Sequence, residues 1–376
     1  MKNTAVQHGL RRANTGRLQS LWVELPGFCN LACTYCYARG GKPNRPDDLL
    51  SKDDYNRLLA EAESIGVDSL GIPGAGEPFI ERNLELTMWF LTRATELGMF
   101  VTVFTTGEFL TEELIAKLKK LPVELMLKGN TLDPEEQDKF VSDPAHGRNI
   151  EGYGAKRNAT LQALINAGFN SPEDEIARKF GRESRLALVT SIMASDEPDG
   201  PSNVNDVAEV LRFCRKNNII FDCDSVLDVG RAQSCHLKIP GEGIKVALLE
   251  LQQIDKDEFG QSWELSQSYV GTVCDRYMHH VYISQYGDVR PCIGAEEVKL
   301  GSVKTKTLDQ AWESTEMRIV RSRCYGGKCG TKCANFAEGK CNSCLGRRAK
   351  ELSNEQLCRD GFVDTEGCWN FRQKGE

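Results

Sequence analysis

Residues 29–36 read Cys29-Asn30-Leu31-Ala32-Cys33-Thr34-Tyr35-Cys36, three thiols in a Cys-x3-Cys-x2-Cys spacing just after the apolar run 21–25. Three thiolates can hold three irons of a [4Fe–4S] cluster, which is normally held by four cysteines. The missing fourth ligand leaves one iron open to a small molecule, as an open position separates catalytic metal sites from closed structural ones. The competing readings are a zinc site or thiols that only pack. Zinc prefers paired Cys-x2-Cys knuckles, and no cysteine follows Cys36 until Cys214. His8, His146, His236, His279 and His280 are too scattered to nominate a fourth ligand. A non-enzymatic zinc or iron–sulfur scaffold would close its site, so the lone triplet points to chemistry.

The triplet resembles the signature of the radical S-adenosylmethionine (radical SAM) enzymes, down to the aromatic Tyr35 before the third cysteine. The resemblance implies that Cys29, Cys33 and Cys36 hold a catalytic [4Fe–4S] cluster whose open iron is chelated by S-adenosyl-L-methionine. An electron from the cluster then splits the sulfonium, and the 5′-deoxyadenosyl radical abstracts a substrate hydrogen atom. Gly74-Ala75-Gly76-Glu77-Pro78 resembles the family's Gly-Gly-Glu-Pro motif, which contacts the amino group of S-adenosylmethionine. Glycines let the backbone approach a ligand closely, and Glu77 can accept from a cationic amine. Thr105-Thr106-Gly107 resembles the family's Thr-Asn-Gly segment, so Thr106 is expected at the cofactor. Lys128 and Asn130, ending the fourth strand, and Ser191, on the fifth beside Thr190, are carried over to the same pocket. The plainer role for such polar residues is to cap the helix that follows each strand.

An alternation of elements must carry these residues. Strands are expected at 21–25, 67–72, 100–105, 123–128, 186–193 and 219–225, and helices at 52–64, 84–97, 112–119, 155–167 and 204–216. Strand–helix units in series imply an α/β fold with a parallel sheet and right-handed crossovers. Periodicity alone does not say whether that sheet is open or curled. The resemblance implies a partial (β/α)6 TIM-like barrel with the triplet in the loop after the first strand. Ligand sites in parallel barrels lie at the carboxyl ends of the strands, which is where the triplet falls.

The chain divides into an extension at 1–20, the barrel at 21–256 and an irregular cysteine-rich domain at 257–376, where nine cysteines lie between Cys274 and Cys368. Cys274, twelve residues, Gly287, four residues and Cys292 resemble the opening of a SPASM domain, which holds auxiliary iron–sulfur clusters. Gly301-Ser302-Val303, Ala311-Trp312 and Arg318 resemble its linking segment. By that analogy Cys274, Cys292, Cys324 and Cys344 hold one auxiliary cluster, and Cys329, Cys333, Cys341 and Cys368 another. Cys358 is additional, the spacings depart from the family's, and a tail with one cluster is the alternative. A zinc ribbon is the competing reading of Cys341-x2-Cys344.

Composition sets outer bounds. Hydrophobic residues at 40% and charged residues at 27% suit a large globular core. A net charge of −7 offers no basic face to nucleic acid. No run of 18 apolar residues suggests a membrane span, and the polar first residues lack a secretory signal. Fifteen cysteines without a secretory context point to reduced, metal-binding thiols, so a cytoplasmic location is expected.

The auxiliary clusters implied by the resemblance would accept the electron left on a substrate radical, which makes net oxidation the expected outcome. The expected substrate is a small polar metabolite such as a sugar or aminocyclitol. About twenty residues precede the first strand, too few for the leader-binding domain of many peptide-modifying relatives. A peptide or protein side-chain maturase (oxidation, cross-linking or epimerisation) is therefore the alternative. Epimerisation needs a hydrogen donor, for which Cys214, Cys223 and Cys235 are the spare thiols. Asp222, Asp224 and Asp228 are candidate proton acceptors. A flavodoxin- or ferredoxin-type reductase is the implied electron donor.

Overall fold

A computed structural model describes residues 16–195, 200–226, 230–234, 237, 241–263, 276–295, 298–322 and 333–338. Six strands, β1 (Ser20–Val23), β2 (Ser69–Ile72), β3 (Phe100–Thr105), β4 (Val123–Lys128), β5 (Leu186–Ile192) and β6 (Ile220–Ser225), lie side by side in chain order. Each pairs parallel with the next. Between them run α1 (Lys52–Ser64), α2 (Glu81–Glu96), α3 (Glu112–Lys119), α4 (Pro134–Asp138), α5 (Tyr153–Asn166), α6 (Glu175–Lys179) and α7 (Val207–Lys216). With right-handed crossovers and a strand order that never reverses, every helix falls on one face of the sheet. The other face can be covered only if the sheet curls on itself, so the strand order decides for a partial TIM-like barrel.

Alternate residues of the same strands feed two cores. Leu21, Val23, Leu70, Ile72, Val101, Val103, Leu125 and Leu127 pack outward against the helices. Phe104, Met126, Ala187 and Val189 form a separate cluster with Trp22 and Ile220, and these fill the lumen. Side chains alternate across a strand, so Leu21 and Val23 face out while Trp22 faces in. Gly71 makes room for that indole: a Cβ there would lie 2.3 Å from Trp22 Cδ1.

At the amino end of β5, Arg185 ties three segments together. Its guanidinium donates to the carbonyls of Lys119 (3.1 Å), Leu121 (2.9 Å) and Val123 (3.2 Å), and to Asp174 at 3.1 and 2.7 Å. Lys119 also pairs with Asp174.

The later part of the chain joins the barrel rather than standing apart from it. β7 (His280–Ile283) adds to the free edge of β1 in parallel, and β8 (Asp288–Arg290) and β9 (Gly301–Ser302) follow antiparallel. Helix α8 (Gly241–Phe259) runs through residue 256 and docks on α7, where Arg215 grips Asp255 with two bonds of 2.7 Å. Short helices α9 (Leu308–Trp312) and α10 (Thr315–Ser322) follow β9. Among the described residues no helix is long and apolar enough to cross a membrane.

Candidate active site

Between β1 and α1 the chain crosses the mouth of the barrel, held by the loops that end four other strands. After β2, Glu77 N donates to Phe28 O at 2.9 Å. After β3, Glu108 accepts from Asn30 Nδ2 at 2.6 Å. After β4, Phe140 O and Ser142 O accept from Thr34 N (3.0 Å) and Ala32 N (2.7 Å). After β6, Arg231 N donates to Cys36 O at 2.8 Å. Cys29, Cys33 and Cys36 thereby line one cavity of about 190 Å³ with Tyr35, Gly74, Gly76, Glu77, Thr106, Lys128 and Ser191.

Three expected cofactor contacts take different positions or tasks. Pro78 is not in the cavity wall; its carbonyl accepts from the Thr87 hydroxyl at 2.6 Å as the chain turns into α2. Asn130 is fully buried behind the wall, where its Oδ1 accepts from Ser191 N at 3.1 Å. Glu77 does line the cavity, but its carboxylate is occupied. Oε1 accepts from Phe79 N (3.0 Å) and Thr105 Oγ1 (2.7 Å), and Oε2 from Thr106 N (2.7 Å) and Thr106 Oγ1 (2.9 Å). Two donors on each oxygen use up the carboxylate's lone pairs. The expectation that Glu77 accepts from an amine gives way to a brace between the glycine loop and the end of β3. Burial keeps this carboxyl above its ordinary range in spite of the four donors.

The protein alone favours the neutral thiol at Cys29 and Cys33, the wrong state for holding iron. Burial, then the charge of Cys33, raises the Cys29 thiol well above its usual value. Burial, then Cys36, pushes Cys33 up to about 12, although Tyr35, Lys128 and Arg231 pull the other way. Three adjacent, half-buried thiolates become favourable only with a cationic centre among them. Backbone donors already point at two of the sulfurs, from Leu31 N to Cys29 (3.5 Å) and from Gly40 N to Cys36 (3.3 Å). The set fits a thiolate-bound iron–sulfur cluster. Among the described residues no three His, Cys, Asp or Glu side chains are placed to hold a single metal ion. A four-iron cluster spreads its thiolates over separate irons and needs no such convergence.

Deeper in the cavity Trp22, Phe104 and Val189 form an apolar floor, flanked by Asp222, Asp224 and Ser225. Sheet register sets Lys128, Val189 and Asp222 in one row across β4, β5 and β6. Burial lowers the Lys128 pKa, and Asp222 opposes that effect. The ammonium lies 5.8 and 5.6 Å from the ring centroids of Tyr35 and Phe104. Arg276, whose guanidinium is 4.0 Å over the Trp22 ring, and Ile293 also line the cavity. Sequence reasoning missed Trp22, Phe104 and Arg276. The out–in alternation of β1 was a usable signal for Trp22; nothing local marks Arg276.

Two of the spare thiols, Cys214 and Cys223, do not reach this cavity. Cys223 points outward from β6 and Cys214 lies on α7, both in the sheet–helix core. Neither can return a hydrogen atom to a substrate in the lumen. Cys235 and Asp228 lie outside the described residues, as do Cys274, Cys324, Cys329, Cys341, Cys344, Cys358 and Cys368. Cys333 is buried, and Cys292 is half-buried beside the cavity residue Ile293.

The sequence model of the Radical SAM superfamily matches residues 23–176, and that of SPASM, an iron-sulfur cluster-binding domain, matches residues 274–345. The chain belongs to the radical SAM superfamily. Its C-terminal part is a SPASM domain, and [4Fe–4S] clusters and S-adenosylmethionine are its cofactors. An AdoMet-dependent heme synthase of Methanosarcina barkeri is 24% identical over 317 residues, 82% of this chain and 86% of that protein. The sporulation killing factor maturation protein SkfB of Bacillus subtilis is 23% identical over 331 residues, 85% of this chain and 70% of that protein. The crystal structure of Streptococcus suis SuiB bound to S-adenosylmethionine superposes with a TM-score of 0.64 at 18% identity, covering 94% of this chain and 77% of that one. The match spans 61%, 47% and 57% of the GTP 3′,8-cyclases of Rhizobium etli, Paracoccus denitrificans and Rhizobium meliloti.

Proposed function

We propose that this radical SAM enzyme matures a peptide or protein side chain, by an oxidation or a cross-link whose surplus electron passes to an auxiliary cluster. The observation that carries the reading is the similarity to the maturation protein SkfB, which spans 85% of the chain and so includes both barrel and tail. SuiB, whose fold this chain shares, has also been crystallised with its precursor peptide SuiA. A flavodoxin- or ferredoxin-type reductase supplies the first electron.

With cluster and S-adenosylmethionine bound, the site has hydrogen-atom abstraction at its disposal. The chain's own residues confine it. Trp22, Phe104 and Val189 keep water from the reacting centre with an apolar floor. Asp222 and Asp224 line the same lumen, and a carboxylate there takes the proton that an oxidised side chain must lose. Arg276 and Ile293 bring the later part of the chain into the wall of the same cavity.

A second reading, oxidation of a non-peptide metabolite, draws on the charged row of Lys128 and Asp222 and on the similarity to the heme synthase. The two are separated by feeding the reconstituted enzyme, S-adenosylmethionine and dithionite with the peptide fraction or the peptide-free metabolite fraction of source cells. The expected result is 5′-deoxyadenosine stimulated by the peptide fraction, with a peptide lighter by a pair of hydrogens. Stimulation by the metabolite fraction alone contradicts the proposal.

A further inference from the structure

After β6 the chain folds back onto the cysteine loop as a turn of 3-10 helix, Gly230–Ser234. Gly230 has φ of +63°, and a Cβ on it would lie 1.9 Å from Tyr37 O and 2.6 Å from Cys36 O. Arg231 follows with three bonds to the loop. Its N–H meets Cys36 O at 2.8 Å, Nη1 meets Cys33 O at 3.1 Å and Nη2 meets Gly40 O at 2.9 Å. One residue thus grips three carbonyls of the loop, two of them on cysteines of the triplet. A guanidinium keeps its charge at any accessible pH and holds a fixed fork of donors. It meets the loop from the β6 side, while Lys128 faces the same thiols from the lumen.

We propose that Arg231 is a positioning residue for the catalytic cluster: its fork fixes the arc 33–40, and its charge stabilises the cluster's reduced state. The step is a one-electron reduction in which the reductase gives up the electron and the cluster gains one negative charge, with no bond made or broken. A nearby cation favours the more negative state. The inference rests on the triplet holding the cluster and is independent of the substrate.

The test uses the full chain, reconstituted, as wild type, Arg231→Lys and Arg231→Gln. Iron and sulfide are measured first. The potential of the triplet cluster is then followed by electron paramagnetic resonance, its signal identified by its change on adding S-adenosylmethionine. For Arg231→Gln the reduced-to-oxidised ratio at a fixed potential should fall about tenfold, about 59 mV for a one-electron couple, while Arg231→Lys stays within about twofold. An iron-replete glutamine variant at the wild-type potential overturns the proposal. So does a lysine variant displaced as far as the glutamine one, which would assign the effect to lost geometry. If the glutamine variant holds no iron, the lysine variant decides. Iron at the wild-type potential supports the proposal, and loss of iron there too leaves a steric brace and overturns the electrostatic role.

Discussion

Glu77 has no acceptor capacity left for a ligand, and that changes what the glycines around it do. The carboxylate holds the loop, and the loop's backbone is what remains to meet a cofactor. Glu77→Gln turns one oxygen into an N–H2 group facing the donors of Thr106 or Thr105, and an unsatisfied buried group of this kind costs about 1–3 kcal/mol. The melting temperature should fall, and S-adenosylmethionine binding should weaken along with it. An unchanged melting temperature with binding abolished would return the carboxylate to the role of direct ligand. Asp222 makes the complementary case, a lumen carboxylate at the far side of the cavity from the glycine loop. If it takes the substrate's proton, Asp222→Asn lowers turnover about 10²- to 10⁴-fold. Iron content and substrate-free cleavage of S-adenosylmethionine should stay as in wild type. Loss of that basal cleavage would instead tie Asp222 to the cofactor.

Between elements, two braces at opposite ends of the barrel set its geometry. At the carboxyl end, Gly230→Ala drives a Cβ into the backbone of Tyr37 and strains a left-handed φ, at a cost of order 1–3 kcal/mol for the backbone strain alone. It should lower iron at the triplet more than it lowers helix content by circular dichroism. Equal losses in both would mean general unfolding rather than a displaced loop. At the amino end, burial alone would raise the Asp174 carboxyl, but hydrogen bonds from Arg185 and Lys119 outweigh it and hold it at about 2. A depressed folded-state pKa contributes stability above the unfolded value, near 3.8, and that contribution is lost as the pH falls through about 2. Asp174→Asn strands a fully buried Arg185 charge, which costs about 3–5 kcal/mol. Urea denaturation should show that loss at neutral pH, with a flatter acid limb than wild type. A variant as stable as wild type would show that the carbonyls around Arg185 suffice.

Over the whole molecule, what could be read from sequence was local. The strands 100–105 and 123–128 and the helices 52–64 and 112–119 stand where their periodicity puts them. The triplet and the glycine loop carry their own spacing. Pairing between distant segments was not legible. His280–Ile283 is a four-residue strand, His-Val-Tyr-Ile, that looks like part of a separate tail, and nothing in it names the edge of β1 as its partner. The same blindness hid Arg276 and Ile293 in the cavity wall, and it hid the brace from Arg231, whose value lies in carbonyls some two hundred residues earlier. Asn130 stands behind the cavity wall for another reason. A polar residue ending a strand can face the cavity or stand one layer behind it, and only packing decides.

The central claim is that Cys29, Cys33 and Cys36 hold a catalytic cluster apart from those of the tail. It is tested most directly by iron, sulfide and zinc per chain after anaerobic reconstitution, in wild type and in the triple variant Cys29→Ala, Cys33→Ala, Cys36→Ala. The account predicts a difference of about four irons with matching sulfide between the two, above about four or eight held by the tail. Equal iron in both proteins, or stoichiometric zinc with little iron under strict exclusion of oxygen, would contradict it.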